Sequence, residues 1–342
     1  MYTLQDFRIS LDRKEAGSDI DFISHAHSDH VAAAKSTKNA IMSDATADLI
    51  KAAYGIGIDG KQLNITKGLK LLNAGHILGS KQLVVEDGGD DGRVVYSGDF
   101  QVSESRAAER IEIENADTLV LDSTYPQNGI KFDDRDIVER KILDWTKEKL
   151  EEGIVIFKAY SIGKAQELIK IFNEEGICPV VSKKVSHVNR VYKKYGVDLQ
   201  YVSAFEDADH EPAIKGTFVG ITEKSIDKLK PKLGLVHDKK VFTAVATGFA
   251  SIYKFNSDAQ FDLSDHADFR QRLEYIEGVS PKRIFTYGKD ARELANNLSR
   301  AGYQANVYEA KSVLCKRLVE ETIERSKTPK IHASNRTAGT FE

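Results

Sequence analysis

The segment His25-Ala26-His27-Ser28-Asp29-His30 places three imidazoles and a carboxylate within six residues. Zinc takes neutral imidazole nitrogen and carboxylate oxygen at about 2.0–2.2 Å, and a catalytic zinc keeps one position open for water. His25 and His27, two apart, can face one ion, while Asp29 and His30 can face a second. Further donors, His76, Asp99 and Asp122, each follow a short β-rich run. An isolated histidine or strand-end aspartate is ordinarily a satisfied polar group or a turn former. Here the coincidence carries the weight, because with His266 five of the nine histidines fall on one expected site. The chemistry it supports is hydrolysis, since a bound cation lowers the pKa of its water towards 7. His187, His210, His237 and His332 show no ligand spacing.

Donors so far apart in the chain need strands that end together. Short β-rich runs predict strands over Phe7–Leu11, Ile20–Ile23, Leu69–Leu72, Gln82–Val85, Val94–Tyr96 and Thr118–Leu121. Gly88 to Gly92 reads as a hairpin turn, and Val31-Ala32-Ala33-Ala34 as the opening of a helix behind the histidine loop. Strands that deliver His or Asp at one sheet edge place an active site there. After Pro126 the texture changes to a helix over about 133–151, a strand Gly153–Phe157, a helix Lys164–Glu174 and a strand from Pro179. That βαβ pattern predicts a separate α/β lobe with a parallel sheet. From Phe261 onward the chain reads Ser-Asp-His, helix Phe269–Glu277, strand Arg283–Thr286, helix Ala291–Ala301 and a strand near Asn306–Tyr308. The expected division is a first lobe in two parts, 1–126 and 259–326, an insertion at 127–258, and a loosely ordered tail at 327–342.

Composition narrows the class. The 342 residues, 41% hydrophobic and 30% charged, are those of a soluble globular protein, with no apolar run of membrane-spanning length. Met1 to Asp6 lacks a secretory pattern, so the cytoplasm is the expected location. Cys178 and Cys315 form no C-x-x-C, so any metal must rest on His and carboxylate. A net charge of −3 excludes a globally basic binder and leaves nucleic-acid contact to local patches.

The motifs resemble a known family. His25 to His30, Ala74-Gly75-His76-Ile77-Leu78-Gly79-Ser80 and Tyr96-Ser97-Gly98-Asp99-Phe100 look like the successive metal motifs of the metallo-β-lactamase fold as used by its β-CASP nucleases. Leu121-Asp122-Ser123-Thr124-Tyr125 and Ser264-Asp265-His266-Ala267-Asp268 resemble two of that group's additional motifs. The resemblance implies an α/β chain folded as a four-layer αββα sandwich with an inserted β-CASP lobe. It implies that His25, His27, His76 and Asp99 hold one zinc, and that Asp29, His30 and bridging Asp99 hold another, with manganese an alternative. Two cations would steady the attacking and leaving oxygens of an in-line displacement at phosphorus. Asp12 resembles a residue of the family's first motif and is expected, like Asp122, to orient a ligand. His266 is expected to donate to a phosphate oxygen or protonate the leaving oxygen.

Ser10-Leu11-Asp12-Arg13 and Tyr160-Ser161-Ile162-Gly163-Lys164 look like the branch containing Artemis and the cross-link repair nucleases, which act on DNA. Ala165-Gln166-Glu167-Leu168 and His266-Ala267-Asp268 look like the RNA branch of 3′-end processing and ribonuclease-J-like enzymes. Where that branch carries a histidine before glycine, this chain has Tyr287-Gly288, so the second ion is expected to bind more weakly, and the reading leans to DNA. Lys164, following a Ser-Ile-Gly turn at an expected helix start, is the foremost candidate for phosphate contact, with Ser161 and Ser264 beside it. Other lysines, such as Lys183, Lys184 and the run Lys224 to Lys232, read mainly as solvated faces. The expected partner is nucleic acid, single-stranded or an end. A small-molecule hydrolase of the same fold and an inactive scaffold are the competing readings; the insertion and His266 weigh against the first, the full donor set against the second.

Overall fold

The computed structural model describes residues 4–64, 68–204, 216–309 and 312–318. The expected tail at 327–342 lies outside these. Sixteen strands among them form three sheets.

The first sheet has the order β16-β1-β2-β3, built from β1 (Leu4–Leu11), β2 (Ile20–Phe22), β3 (Ala40–Ile41) and β16 (Ser312–Leu318). β1 runs parallel to β2 and antiparallel to β16. The second sheet has the order β15-β14-β7-β6-β5-β4, from β4 (Leu69–Asn73), β5 (Lys81–Val85), β6 (Val94–Tyr96), β7 (Thr118–Asp122), β14 (Arg283–Tyr287) and β15 (Ala305–Val307). β4, β6, β7 and β14 all point the same way, because β5 alone is antiparallel to its neighbours. Their carboxyl ends therefore lie along one edge.

Strand alternation sorts side chains of the second sheet between two apolar layers. Leu83, Val85, Val94, Tyr96 and Val120 pack with Ile9, Leu11, Ile20 and Phe22 of the first sheet. Val84, Val95, Leu119 and Leu121 pack on the opposite face with α6 (Phe269–Val279) and α7 (Ala291–Arg300), through Tyr275, Ile276, Leu294 and Leu298. Burial on both faces is why these strands read as nearly continuous apolar runs.

The third sheet, order β10-β9-β11-β8-β12-β13, is entirely parallel. It comprises β8 (Gly153–Lys158), β9 (Val180–Val181), β10 (Val202–Ser203), β11 (Val219–Thr222), β12 (Lys240–Ala246) and β13 (Ala259–Phe261). Its companions are α2 (Arg135–Glu152), α3 (Lys164–Glu174), α4 (Lys183–Lys194) and α5 (Ile226–His237). Parallel strands require crossovers, and the helices supply them. This part is not sealed off from the first sheet. One apolar cluster runs from Ile23, Leu49 and Ile50, the latter two on α1 (Asp44–Tyr54), through Ile77 and Leu78 to Ile162, Leu168, Val188 and Phe261.

One local expectation fails. Behind the histidine loop the chain makes only a three-residue 3-10 turn, Ala33–Lys35, rather than a longer helix. Ser36 and Thr37 follow, and the buried Thr37 hydroxyl donates to the Asn39 carbonyl, a local hydrogen bond that competes with helix continuation. The strands and helices expected elsewhere along the chain recur within a few residues. Among the described residues no helix is long and apolar enough to cross a membrane.

Candidate metal centre

Strand ends set the donors. β2 leads into His25 and His27, β4 into His76, β6 into Asp99, and β7 ends on Asp122. Gly98 has φ +53, and a Cβ there would lie 2.8 Å from the Ser24 Cβ, so glycine lets the end of β6 approach the histidine loop.

Around the Asp99 carboxylate the imidazoles converge. Its Oδ2 lies 3.4 Å from His30 Nε2, 3.5 Å from His25 Nε2, 3.9 Å from His76 Nε2 and 3.9 Å from His266 Nδ1. Donor atoms of His25, His27, His76 and Asp99 all lie within 4.8 Å of one another, as do those of Asp99, Asp122 and His266.

Outer contacts decide which ring nitrogen faces inward. His76 Nδ1 donates to the Asp265 carbonyl at 2.8 Å, and His27 Nε2 donates to the Ile162 carbonyl at 3.3 Å, since a carbonyl can only accept. The unprotonated His76 Nε2 and His27 Nδ1 are then left facing each other at 3.0 Å. Two lone pairs so placed repel unless a cation lies between or beside them. Ser24 spends its hydroxyl proton on Asp12, so it accepts from His25 Nδ1 and leaves His25 Nε2 bare. That atom and His266 Nδ1 are buried without a hydrogen-bond partner. Imidazoles that donate outward and present a bare nitrogen inward are built as metal ligands. The residues present fit a divalent cation.

Protonation follows the same logic. Burial, then the neighbouring His30, hold His25 well below the ordinary imidazole range. Burial and His76 bring His27 to about 4 and His266 to about 3. These rings are neutral, as ligands must be. Burial alone would raise the Asp99 carboxyl, yet His30 and His25 hold it well below the usual range. His30 is held well above its ordinary value, since Asp99 and Asp12 outweigh the opposing effect of burial. Asp122 is pushed up to about 7 by burial and by Asp99.

Asp12 lies beneath the cluster and outside both donor groups. Its carboxylate accepts from Ser24 N at 2.6 Å, Ser24 Oγ at 2.7 Å, His30 Nδ1 at 2.8 Å and Tyr96 Oη at 2.6 Å. Tyr287, placed by the resemblance near the second ion, instead donates its hydroxyl to the Leu11 carbonyl at 2.8 Å, beside Tyr96.

Asp29, expected as a ligand, has its Oδ2 3.6 Å from His30 Nε2 on a side chain that is 78% exposed, while Asp122 and His266 flank Asp99. The three expected nucleic-acid contacts are all buried. The Lys164 ammonium is 2.5 Å from Asp265 Oδ1, because Gly163-Lys164 folds back onto the centre rather than towards solvent. Ser161 accepts at its carbonyl from Gln166 Nε2, and the Ser264 hydroxyl donates to the His266 carbonyl while accepting from His266 N. Sequence reasoning missed Arg272. Fully buried, it donates to the Tyr125 and Thr124 carbonyls and lies 3.8 Å from Asp122. Its place in an i, i+3, i+4 helical pattern was the available signal, since a charge there is unusual on a core-facing stripe.

No protein-family model matches the chain. A protein named as a probable DNA ligase from Opitutus terrae is 30% identical over 298 residues, covering 83% of this chain and 28% of that protein. An RNase aCSPSF2 from Saccharolobus solfataricus is 25% identical over 284 residues, covering 70% of this chain and 55% of its own length. An RNase J-like protein from Methanocaldococcus jannaschii is 33% identical over 116 residues, 33% of this chain and 27% of the relative. The chain thus spans between about a quarter and about half of these relatives. In fold it is similar to a protein of unknown function from Enterococcus faecalis, with a TM-score of 0.58 over 89% of this chain and 83% of that one, at 11% identity. With the motif series and its convergence on Asp99, these relatives establish that the chain belongs to the β-CASP nuclease family of metallo-β-lactamase proteins.

Proposed function

We propose that this chain is a metal-dependent nuclease that hydrolyses phosphodiester bonds, with DNA ends as its substrate. The observation that carries the reading is the facing pair His27 Nδ1 and His76 Nε2, each bare because its other nitrogen donates to a backbone carbonyl. In this reading His25, His27, His76 and Asp99 hold one zinc or manganese ion, while Asp99, Asp29, His30 and Asp122 surround the place of a second, weaker one and His266 stands beside it. Bound cations would supply a water of lowered pKa and neutralise charge on the phosphate.

The protein's own groups then have separate tasks. Asp12 keeps the His30 ring aimed at Asp99, and the Asp265 carbonyl does the same for His76. His266, whose backbone is fixed by Ser264, donates its remaining ring N–H to a phosphate oxygen. Arg272 pins the carbonyls after Asp122, so that this carboxylate keeps its place beside Asp99. In this reading the first two sheets, with α6 and α7 outside the second, belong to the αββα sandwich, and residues 127–258 to the β-CASP insertion.

DNA is favoured because the Opitutus relative, matched over most of this chain, is named as a probable DNA ligase. Trimming of ends before sealing suits that association. RNA processing is the second reading, favoured by the two relatives named as RNases. Single-stranded DNA and RNA of one sequence, labelled at the 5′ or 3′ end, separate the two when incubated with and without chelator. Chelator-sensitive cleavage of DNA is expected. Cleavage of RNA alone moves the chain to the second reading, and cleavage of neither overturns the nuclease assignment.

A further inference from the structure

The rim of the metal centre carries aromatic surface that the hydrolytic chemistry does not use. Tyr160, between β8 and α3, is 59% exposed, and its ring centroid lies 6.4 Å from that of His27. Tyr253, just past the turn Gly248–Ser251, is likewise 59% exposed. It connects to the centre ring by ring, 6.1 Å to Phe249, then 5.0 Å from Phe249 to Tyr125, then 5.8 Å from Tyr125 to His266. His27 and His266 both border His76, so the two exposed tyrosines stand at opposite ends of one continuous series of rings.

Single exposed aromatics are ordinary. These two differ because they are held against the centre. A Cβ on Gly248 would lie 2.6 Å from the Tyr125 hydroxyl and 2.8 Å from Ser264 Oγ, so the turn carrying Phe249 is pressed directly onto the residues that fix His266. Gln260 Nε2 donates to the carbonyls of Ala250 and Tyr253, at 2.7 and 3.0 Å, and so anchors the segment that presents Tyr253. Tyr160 belongs to the segment whose Ile162 carbonyl accepts from His27. The nearby cation expected to grip a backbone phosphate, Lys164, is buried against Asp265. What this rim offers to a strand is flat π surface.

We propose that Tyr160 and Tyr253 are base-stacking platforms that seat a single strand across the metal centre. Tyr160 takes the base next to the scissile phosphate and Tyr253 a base further along. Stacking on an aromatic ring holds any base, so the grip tolerates sequence. The inference rests on the nuclease reading, and the experiment separates the two.

Cleavage of single-stranded oligonucleotides, intact or carrying one abasic position, is compared for the wild type, Tyr160→Ala, Tyr160→Phe and Tyr253→Ala. For the wild type an abasic nucleotide beside the cleaved bond should lower kcat/KM by roughly 5- to 150-fold, chiefly through KM. Tyr160→Ala should suffer that loss on the intact strand and show no further loss on the abasic one, whereas Tyr160→Phe should behave as the wild type. Tyr253→Ala should lose discrimination only at a more distant abasic position. If Tyr160→Ala still discriminates against the abasic strand, or if Tyr160→Phe is as impaired as Tyr160→Ala, stacking is overturned while the nuclease reading stands. Absence of cleavage by the wild type would overturn both.

Discussion

Two polar clusters, one largely and one partly buried, lie within the same molecule and differ in what they lack. In one, Arg106, Arg135, Glu139, Glu167 and Glu174 link the loop after β6 to α2 and α3. Every carboxylate there has a guanidinium within reach, with Arg106 Nη2 2.6 Å from Glu139; Arg135 Nη2 and Glu167 Oε2 make no well-directed hydrogen bond, yet they face each other as opposite charges at 2.5 Å. The other cluster gathers five imidazoles around Asp99 without a single lysine or arginine among its donors, and leaves His25 Nε2 and His266 Nδ1 unpartnered. Burial penalises both clusters. The first offsets that cost with its own charges, whereas the second does so only in part, through His30 beside Asp99, and leaves its bare nitrogens for a cation from outside. The inward-facing bare nitrogen, more than the number of histidines, distinguishes a ligand site from a structural network.

The contrast breaks most completely at Asp99. Asp99→Ala is expected to abolish turnover and to lower bound metal, measured by elemental analysis of the purified protein alongside the oligonucleotide assay. Near-normal activity and metal content would remove the site from consideration. His266→Ala sharpens it, with turnover expected to fall by about 10²- to 10⁴-fold while metal content holds. A lost ion would instead make His266 a ligand.

In the self-sufficient cluster the expected damage is to stability. Arg135→Met leaves Glu167 and Glu139 with a missing partner in a buried setting, and should cost about 3–5 kcal/mol in urea unfolding. Metal bound per folded molecule should be unchanged; a fall in it would mean that the two clusters are coupled. The smallest effect is expected for Tyr287→Phe, which removes the hydroxyl that donates to the Leu11 carbonyl. A loss of about 1 kcal/mol, with metal stoichiometry intact, marks Tyr287 as a support for the Asp12 strand. Loss of metal in this variant would restore it to the centre.

What the sequence disclosed followed from local rules. Strands of the second sheet are legible because both faces are buried, and the histidine loop because its donors crowd six residues. Asp12 was readable as an orienting group, and its four hydrogen bonds place it beneath the His30 ring. Less was legible where a partner comes from far along the chain. Lys164 reads as a free cation at a helix start, and only folding brings Asp265, 101 positions later, onto its ammonium. Arg272 meets the Tyr125 and Thr124 carbonyls from 147 and 148 positions further along, partners that no spacing rule anticipates. Asp29 shares its motif with three ligand-like histidines, and its carboxylate stands on the solvent side of the His30 ring.

The apolar cluster that runs from Ile23 and α1 through Ile77 to Ile162 and Val188 has a consequence for protein engineering. Residues 127–258 look like a cassette in the linear map, but they are not removable. Excising them would uncover Ile77 and Leu78 beside His76, take Lys164 away from Asp265, and deprive His27 of the Ile162 carbonyl that sets its tautomer. A shortened chain would keep all the motif residues and lose the geometry that makes them a site. Swapping this segment between relatives therefore requires co-transplanting the facing surface of α1 and the His76 loop.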